Sequence, residues 1–306
     1  MTKLTEIRKN RNSLVSTEFL PPKNTNLTDL VNKTLRVAGV IDSVSIPDLK
    51  ANSCTIPMHR MNAFYAAMRL RDLTGVETVY HLTPRDLNRN AIAGILLAAA
   101  HAGLQNVLVV GGDRYDNAET RTLSKNVYDF AGATDLIRGI RNFQAQLGPE
   151  HTGFCIIVGT DPTVIYTNDK KRIEREVVKL VDRQDAGAEL VQTQPVFDLR
   201  YFEFLDSAKE HGLKIPALVG ILPLRGRSDA VEVERRYGIT IPNDVKSALK
   251  EDIDQTGTRF ACELAVNLVR NGVQTLHIYP RENCNFLLDV TKAAFGRRPS
   301  EDIALS

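Results

Sequence analysis

Tryptophan is absent from this chain of 306 residues, and cysteine is scarce. The four cysteines, Cys54, Cys155, Cys262 and Cys284, are far apart and include no C-x-x-C pair. That spacing favours reduced thiols over disulfides, and it offers no ligand pattern for a structural zinc ion or an iron–sulfur cluster. We therefore expect no metal site.

Neither sign of charge is in large excess, and long apolar runs are also missing. Lys and Arg number 39 against 37 Asp and Glu, a net charge of +2, which argues against a nucleic acid or a membrane surface as the partner. No run reaches the ~18 apolar residues that span a bilayer, and the first ten residues lack the apolar core of a signal peptide. These absences predict a soluble, cytoplasmic protein that binds a small molecule.

Short apolar runs alternate with helical sequence along the whole chain. The runs are continuous rather than alternating, which is typical of parallel strands buried on both faces. Strands are predicted at 13–19, 40–46, 76–80, 106–110, 153–158, 189–193, 215–221 and 273–278. Helices are predicted at 26–37, 58–73, 91–102, 134–147, 170–186, 201–211, 228–237, 248–271 and 285–295.

A chain of this length with 43% hydrophobic residues forms either two ordinary domains or one barrel-sized domain. Eight strands that are each followed by helical sequence favour the second possibility, an α/β fold of the (β/α)8 TIM barrel type. No linker or low-complexity segment interrupts the alternation, so residues 1–306 are predicted to form a single domain.

In such a barrel the active site lies at the carboxyl ends of the strands. The polar residues at these ends are Glu18, Ser45, His81, Asp113, Asp161, Gln194 and Tyr279. The set contains acids, a histidine and an amide, but no serine or cysteine arranged as a nucleophile. It therefore favours proton transfer and recognition of a polar heterocycle over acyl transfer.

Three of these strand ends also allow structural interpretations. Glu18 is an acid at the end of a buried strand, next to a Pro-Pro turn, and it is either paired with a cation or catalytic. His81 is either a core histidine or a site residue, and Asp113 is either a turn former or a functional acid. Gly111 and Gly112 permit close approach of the backbone to a phosphate or a flat ring.

Several segments match a known family when they are taken together. They are Glu18-Phe-Leu-Pro-Pro-Lys23, His81-Leu-Thr83, Arg85-Asp-Leu-Asn88, Asn106-Val-Leu-Val-Val-Gly-Gly-Asp113, Asp185-Ala-Gly-Ala188, Gln192-Thr-Gln-Pro-Val-Phe-Asp198 and Gly220-Ile-Leu-Pro223. Over nearly its whole length the chain resembles the methylenetetrahydrofolate reductase family. It looks most like the reductase portion of bifunctional homocysteine methyltransferase/methylenetetrahydrofolate reductase proteins.

The resemblance implies a barrel that carries a flavin, FAD or alternatively FMN, and that reduces 5,10-methylenetetrahydrofolate to 5-methyltetrahydrofolate. Glu18 would be the general acid that helps open the folate ring to a 5-iminium cation, which accepts hydride from reduced flavin N5. Asp113 would stabilise that cation and tune the flavin. Gln194 would contact the pterin and the nicotinamide in turn.

The resemblance also implies contacts to the cofactor and the substrate. The expected cofactor-binding residues are Ser45, His81, Gly111, Gly112, Asp113, Asp161, Glu176 and Arg183. Glu176 and Arg183, seven residues apart on one helix face, would hold the distal part of FAD, although an ordinary solvated pair is the alternative. Tyr279 and Arg281 would join Glu18, Asp113 and Gln194 at the substrate.

The chain departs from the better-known branch of the family at three loops. Arg-Gly-Asp is replaced by Gly111-Gly-Asp113, Tyr-Pro-x-x-His by Asp161-Pro-Thr-Val-Ile165, and Leu-Asn-Arg by Pro280-Arg-Glu-Asn283. These changes remove a cationic contact to the flavin phosphate and displace Arg281, so the tails of the flavin and the folate would be held differently.

Two other functions stay open at this stage. One is a pterin-binding methyltransferase without redox chemistry, and the other is a folate- or flavin-binding subunit of a larger redox complex. The electron donor, NAD(P)H or another, and the physiological direction are open as well. A homo-oligomer or a redox partner subunit is compatible with the resemblance.

Overall fold

A computed structural model describes residues 2–49, 60–112, 129–148, 151–249 and 254–299. Eight parallel strands, β1 to β8, form a closed barrel in chain order. The strands are β1 Leu14–Glu18, β2 Ser43–Ile46, β3 Glu77–Leu82, β4 Asn106–Val109, β5 Cys155–Thr160, β6 Leu190–Pro195, β7 Ala217–Ile221 and β8 Thr275–Ile278. The prediction of a (β/α)8 barrel is confirmed. The prediction of one domain over residues 1–306 stays a prediction, because the structure does not describe either end of that range.

Helices follow the strands and surround the barrel. They are α1 Leu4–Asn10, α2 Thr28–Val37, α3 Ala63–Thr74, α4 Arg89–Ala102, α5 Ala133–Gln144, α6 Lys170–Asp185, α7 Tyr201–Glu210, α8 Arg227–Tyr237, α9 Asn243–Ala248, α10 Asp254–Arg270 and α11 Cys284–Phe295, with a 3₁₀ helix at Pro162–Thr167. None of the helices in the described ranges is long and apolar enough to cross a membrane.

The sequence patterns missed α1, the 3₁₀ helix and α9, and two predicted helix starts are wrong. The helix predicted from residue 58 begins at Ala63, because the Asn62 side chain accepts a hydrogen bond from the Tyr65 N–H and caps it there. The helix predicted over 248–271 begins at Asp254 instead. Ala248 is the last residue of α9, and Leu249 after it is extended.

An apolar cluster closes the amino end of the barrel interior. Leu14, Val79, Leu108 and Leu190 point into it, and Leu4 from α1 packs against them. A second and larger core fills the space between the outer face of the barrel and the helices. The interior is therefore sealed at one end and can receive a ligand at the other.

The interior becomes polar two residues further along several strands. Alternate residues of a strand share a face, so Ser16, His81 and Gln192 point into the same interior as Leu14, Val79 and Leu190. All three are buried, with exposures of 1%, 9% and 5%. The expectation of continuously apolar strands is therefore wrong for the inward face. The outward face, which packs on the helices, is mostly apolar, although it includes buried threonines such as Thr17 and Thr78.

The pairing of β6 with β7 is irregular where β6 ends. The register shifts between Gln192 and Pro195, and a Cβ atom added to Gly220 of β7 would lie 2.8 Å from the carbonyl oxygens of both Thr193 and Gln194. Glycine is therefore required at position 220. Strand irregularities of this kind occur next to active sites, where they reorient a side chain, and Gln194 lies within this one.

This close approach predicts a loss of stability for Gly220→Ala. The added methyl group must push two backbone carbonyls apart, so we expect the free energy of unfolding to fall by about 2 kcal/mol. Gly159→Ala is the matched control, since Gly159 also lies in a strand and a Cβ atom there would meet nothing within 4 Å. Urea unfolding of both variants measures the difference, and equal stabilities would contradict the packing described.

Candidate active site

Glu18 ends β1 at the open, carboxyl end of the barrel. Its side chain keeps 22% of its surface exposed, and the Nε2 atom of His81 lies 3.9 Å from its Oε2 atom. Burial, and to a lesser extent the negative charge of Glu282, raises the pKa of Glu18 to about 7. Among the described residues no Lys or Arg forms an ion pair with it. Glu18 can therefore hold a proton near neutral pH.

Two buried histidines lie in the same interior as Glu18. Burial lowers the pKa of His81 to about 3, and burial together with the nearby His81 lowers the pKa of His277 to about 3. The Nδ1 atom of His277 lies 2.5 Å from the Ser16 hydroxyl oxygen. Both histidines are neutral at pH 7, so neither supplies a positive charge that would ionise Glu18.

Tyr279, directly after β8, is held by hydrogen bonds to β6. Its hydroxyl donates to the carbonyl oxygen of Thr193 over 2.8 Å and accepts from Gln192 Nε2 over 3.4 Å. Its ring meets His277 edge-on, with ring centroids 4.4 Å apart. Burial, followed by the charge of Glu18, raises the pKa of Tyr279, so the phenol stays neutral. Gln194 is half-buried on the same strand as Gln192.

Several polar atoms of the interior have no hydrogen-bond partner among the residues that the structure describes. They are Ser43 Oγ, Ser45 Oγ, His81 Nε2, Gln192 Oε1 and His277 Nε2, all buried. Glu18 and Ser45 are paired in the β1–β2 register. Buried polar groups are rarely left unpaired in folded proteins, so this interior is suited to a polar ligand or to ordered water.

The Gly111-Gly112 turn after β4 packs against the loop after β3. Gly112 has a φ of 79°, and a Cβ atom there would overlap the Thr83 hydroxyl oxygen and lie 2.9 Å from Arg85 Cβ. Gly111 is exposed and meets nothing. Gly111 therefore presents bare backbone, whereas Thr83 and Arg85 fill the space beside Gly112, and the predicted contact of these glycines with a ligand stays a prediction. Asp113 lies outside the described residues, so its predicted roles stay predictions.

Asp161, Glu176 and Arg183 are brought together at the end of β5. The Glu176 carboxylate accepts from the Thr160 hydroxyl over 3.0 Å and from the Asp161 N–H over 3.1 Å. Arg183 donates to the Gly159 carbonyl over 2.5 Å, and Asp161 accepts from the Thr163 N–H to cap the 3₁₀ helix. The two α6 side chains thus hold the end of β5.

Arg281 does not point at Glu18. Its guanidinium forms a 2.6 Å ion pair with Asp229 of α8. Burial is the largest single influence on Asp229 and opposes its ionisation, but the hydrogen bonds from Arg281 and from the Arg225 N–H, together with the charges of both arginines, outweigh it and lower the pKa of Asp229. The predicted substrate contact from Arg281 stays a prediction. In this structure the side chain anchors the loop after β8 to α8.

Four further residues of this region were not predicted from the sequence: Asp48, Gln192, His277 and Glu282. Gln192 and His277 carry a signal that could have found them, since each is a polar residue two positions before a polar strand end. Asp48 follows β2, and burial raises its pKa to about 6 although Arg85 lowers it. Glu282 lies in the loop after β8, far from Glu18 in the chain, and only the folded structure brings its charge close enough to add to burial in raising the pKa of Glu18.

No group of three or more His, Cys, Asp or Glu side chains within the described ranges is arranged to hold a metal ion. Cys155, Cys262 and Cys284 are free thiols there, and Cys54 lies outside the described residues.

The fold and the site define a parallel (β/α)8 barrel with a protonatable carboxyl group and a polar, uncharged interior at its open end. A family model for methylenetetrahydrofolate reductase matches residues 3–294. The chain belongs to the methylenetetrahydrofolate reductase family.

Curated relatives agree with this assignment. The protein named methylenetetrahydrofolate reductase (NADH) 1 of Arabidopsis thaliana is 24% identical over 306 residues, with 96% of this chain and 49% of that protein covered. Salmonella typhimurium 5,10-methylenetetrahydrofolate reductase is 25% identical over 274 residues, with 87% and 85% covered. The maize relative is 26% identical, with 75% of this chain and 39% of that protein covered. The chain thus spans half or less of the plant relatives' length.

Solved structures agree on the fold. An uncharacterized Clostridium thermocellum protein that binds two copies of 5-methyl-5,6,7,8-tetrahydrofolic acid superposes with a TM-score of 0.65 at 15% identity, covering 95% of this chain and 99% of that one. The EDTA monooxygenase EmoA of Chelativorans superposes with a TM-score of 0.56 at 9% identity, covering 94% and 95%. At these identities the likeness concerns the fold alone.

The raised pKa of Glu18 predicts a stability effect that depends on pH. Between the ordinary value of 4.5 and about 7 the folded state holds this proton and the unfolded chain does not, so stability falls as pH rises through that range and the loss is complete above it. We expect Glu18→Gln to be more stable than the parent by on the order of 2–3 kcal/mol at pH 8, with the gain vanishing near pH 4.

Urea unfolding at several pH values measures this difference. Glu210→Gln, at an exposed position of α7, is the matched control and should show no such dependence. A Glu18→Gln variant whose gain did not grow with pH would show that the carboxyl is ionised in the folded protein.

Proposed function

We propose that this chain catalyses the reduction of 5,10-methylenetetrahydrofolate to 5-methyltetrahydrofolate, with Glu18 as the general acid. The observation that carries the proposal is the largely buried carboxyl group of Glu18, which forms no ion pair with a Lys or Arg of the described residues and has a pKa raised to about 7, at the open end of a barrel of this family. A general acid is most effective when its pKa lies near the working pH.

The protonated Glu18 carboxyl group can donate one proton, and N10 of the folate can accept it. The one-carbon unit of the substrate bridges N5 and N10 of the folate. A proton from Glu18 to N10 allows the bond between N10 and the bridging carbon to break, with its electron pair staying on N10. The positive charge moves to the N5 iminium group, which can then accept hydride.

A flavin fits the residues at the mouth, and members of this family are flavin-dependent. When bound, it supplies the hydride. Its ring has polar edges that would match the unpaired Ser45 Oγ and His81 Nε2 atoms, and the bare backbone of Gly111 and Gly112 permits close contact. These four residues are proposed to hold the ring.

FAD is proposed ahead of FMN. Glu176, Arg183 and Asp161 are the candidates for its distal part, and the buried Nε atom of Arg183 has no hydrogen-bond partner within the described ranges. In this chain Glu176 and Arg183 already bind the end of β5, so a contact to FAD would need them to serve both roles. NAD(P)H is the proposed donor, with a protein partner as the alternative.

Gln194, Tyr279 and Asp113 are proposed to bind the pterin. The register shift at the end of β6 leaves Gln194 half-buried, without a protein partner for its amide in the described chain. Asp113 would stabilise the cation that forms once Glu18 has given up its proton. The Clostridium thermocellum neighbour, which binds 5-methyl-5,6,7,8-tetrahydrofolic acid, is a barrel of the same fold.

Glu18→Gln should leave flavin binding intact while folate reduction falls by roughly two or more orders of magnitude, since the amide cannot donate the proton. Stopped-flow oxidation of the reduced protein by methylenetetrahydrofolate measures the rate, and the flavin bands report binding. Glu210→Gln is again the control. An unchanged rate would remove Glu18 from this role.

The rate of folate reduction should also depend on pH. Glu18 acts in its protonated form, so the rate should fall as pH rises through about 7, the pKa of Glu18. Histidines that are neutral above about pH 3 contribute no step in this range. A rate that rose with pH between 6 and 8, as a general base would give, contradicts the assignment.

The first experiment is an absorbance spectrum of the purified protein, followed by anaerobic addition of methylenetetrahydrofolate to the dithionite-reduced form. Flavin bands near ~450 nm that bleach on reduction and return with folate would support the proposal. A protein that takes up neither FAD nor FMN would overturn it in favour of a methyltransferase or a partner-dependent subunit.

A further inference from the structure

The loop after β8 contains a tight turn with an unusual composition. Pro280 and Asn283 close it through a 2.9 Å hydrogen bond from the Asn283 N–H to the Pro280 carbonyl. The two central residues, Arg281 and Glu282, have φ angles of 48° and 69°. Turns with two positive φ angles favour Gly, Asn and Asp, so long charged side chains there are strained. Strain of this kind is often found at functional sites.

Two ion pairs hold this turn, and they point in different directions. Arg281 pairs with Asp229 over 2.6 Å on the α8 side. Glu282 pairs with Lys33 of α2 over 2.5 Å, and Lys33 also binds Asp29 over 2.6 Å. The left-handed conformation of both residues thus sends the Glu282 carboxylate toward β1 and α2.

The Glu282 carboxylate reaches the segment that carries Glu18. Its Oε1 atom accepts a 3.4 Å hydrogen bond from the N–H of Leu20, two residues after Glu18. Its Oε2 atom is the one bound to Lys33. The side chain is therefore fixed at both oxygens next to the end of β1.

Glu282 is the charged group that acts on Glu18 in the described part of the chain. From β3 His81 faces Glu18, and from β8 Tyr279 does, and both are neutral at pH 7. From the loop after β8 comes Glu282, whose charge Lys33 of α2 partly offsets. Asp113, after β4, lies outside the described residues.

We propose that Glu282 is a positioning residue whose carboxylate, fixed beside the end of β1 by the Pro280–Asn283 turn and by Lys33, adds to the effect of burial in keeping the Glu18 carboxyl group protonated. A negative charge nearby disfavours a second one, so Glu18 keeps its proton to a higher pH. Lys33 carries the opposite charge and therefore weakens the repulsion between the Glu282 carboxylate and a negative charge on Glu18. The catalytic meaning of this arrangement rests on the proposed function, but the electrostatic effect does not.

The test is a direct titration of Glu18 that needs no cofactor and no substrate. Protein labelled with 13C at the glutamate carboxyl carbons is followed by NMR from pH 4 to 9, and the resonance missing from Glu18→Gln identifies Glu18. Glu282→Gln, which removes the charge and keeps the shape, should lower the Glu18 pKa by ~0.5–1 unit. Lys33→Gln, which leaves the Glu282 charge without its counterion, should raise it.

The opposite signs separate this effect from loss of structure. Loosening of the turn would admit water to Glu18 and move its pKa downward in both variants. Both variants shifting downward, or neither shifting, would overturn the inference. Glu210→Gln should leave the Glu18 pKa unchanged, and a shift there would also count against a local effect.

Kinetics then distinguish this inference from the proposed function. If Glu18 is the general acid, the pH at which folate reduction declines should move down in Glu282→Gln and up in Lys33→Gln, parallel to the NMR values. Opposite NMR shifts in a protein that does not reduce folate would leave the role of Glu282 standing and remove the proposed reaction.

Discussion

A carboxyl group that is buried without a neighbouring cation keeps its proton to a higher pH than one in water, and the open end of this barrel depends on that constraint. The apolar cluster around Leu14 seals the interior from below, while His81 and His277, both buried and neutral, line it without adding charge. Glu18 therefore has polar neighbours but, among the described residues, no positive partner. That environment distinguishes an acid able to donate a proton from one that only anchors a strand.

Two other acids near the mouth of the barrel, Glu176 and Asp229, differ from Glu18 because protein groups bind their carboxylates. Glu176 accepts hydrogen bonds from the end of β5, and Asp229 binds Arg281. These two acids fix the loops, whereas burial raises the pKa of Glu18 to about 7 and that of Asp48 to about 6.

Much of this arrangement was predictable from sequence, for identifiable reasons. Continuous apolar runs separated by helical sequence predicted eight strands, and the polar residues at the carboxyl ends of those strands placed Glu18, Ser45 and His81 at one end of the barrel. Gln192 and His277 were missed because they alternate with the outward-facing residues of their strands, so each segment was interpreted as an apolar strand. Seven-residue spacing put Glu176 and Arg183 on one helix face, but spacing cannot show that both side chains bind the end of the neighbouring strand.

The sequence by itself determined the order of strands and helices, the polar ends of the strands and the family, because these depend on local periodicity and on short contiguous motifs. Only the tertiary structure decided the protonation state of Glu18, because that depends on burial and on charges far apart in the chain. Glu282 follows Glu18 by more than 250 residues and meets the adjoining segment only when β8 closes the barrel against β1. A pKa is a property of the assembled environment, and residue order alone does not contain it.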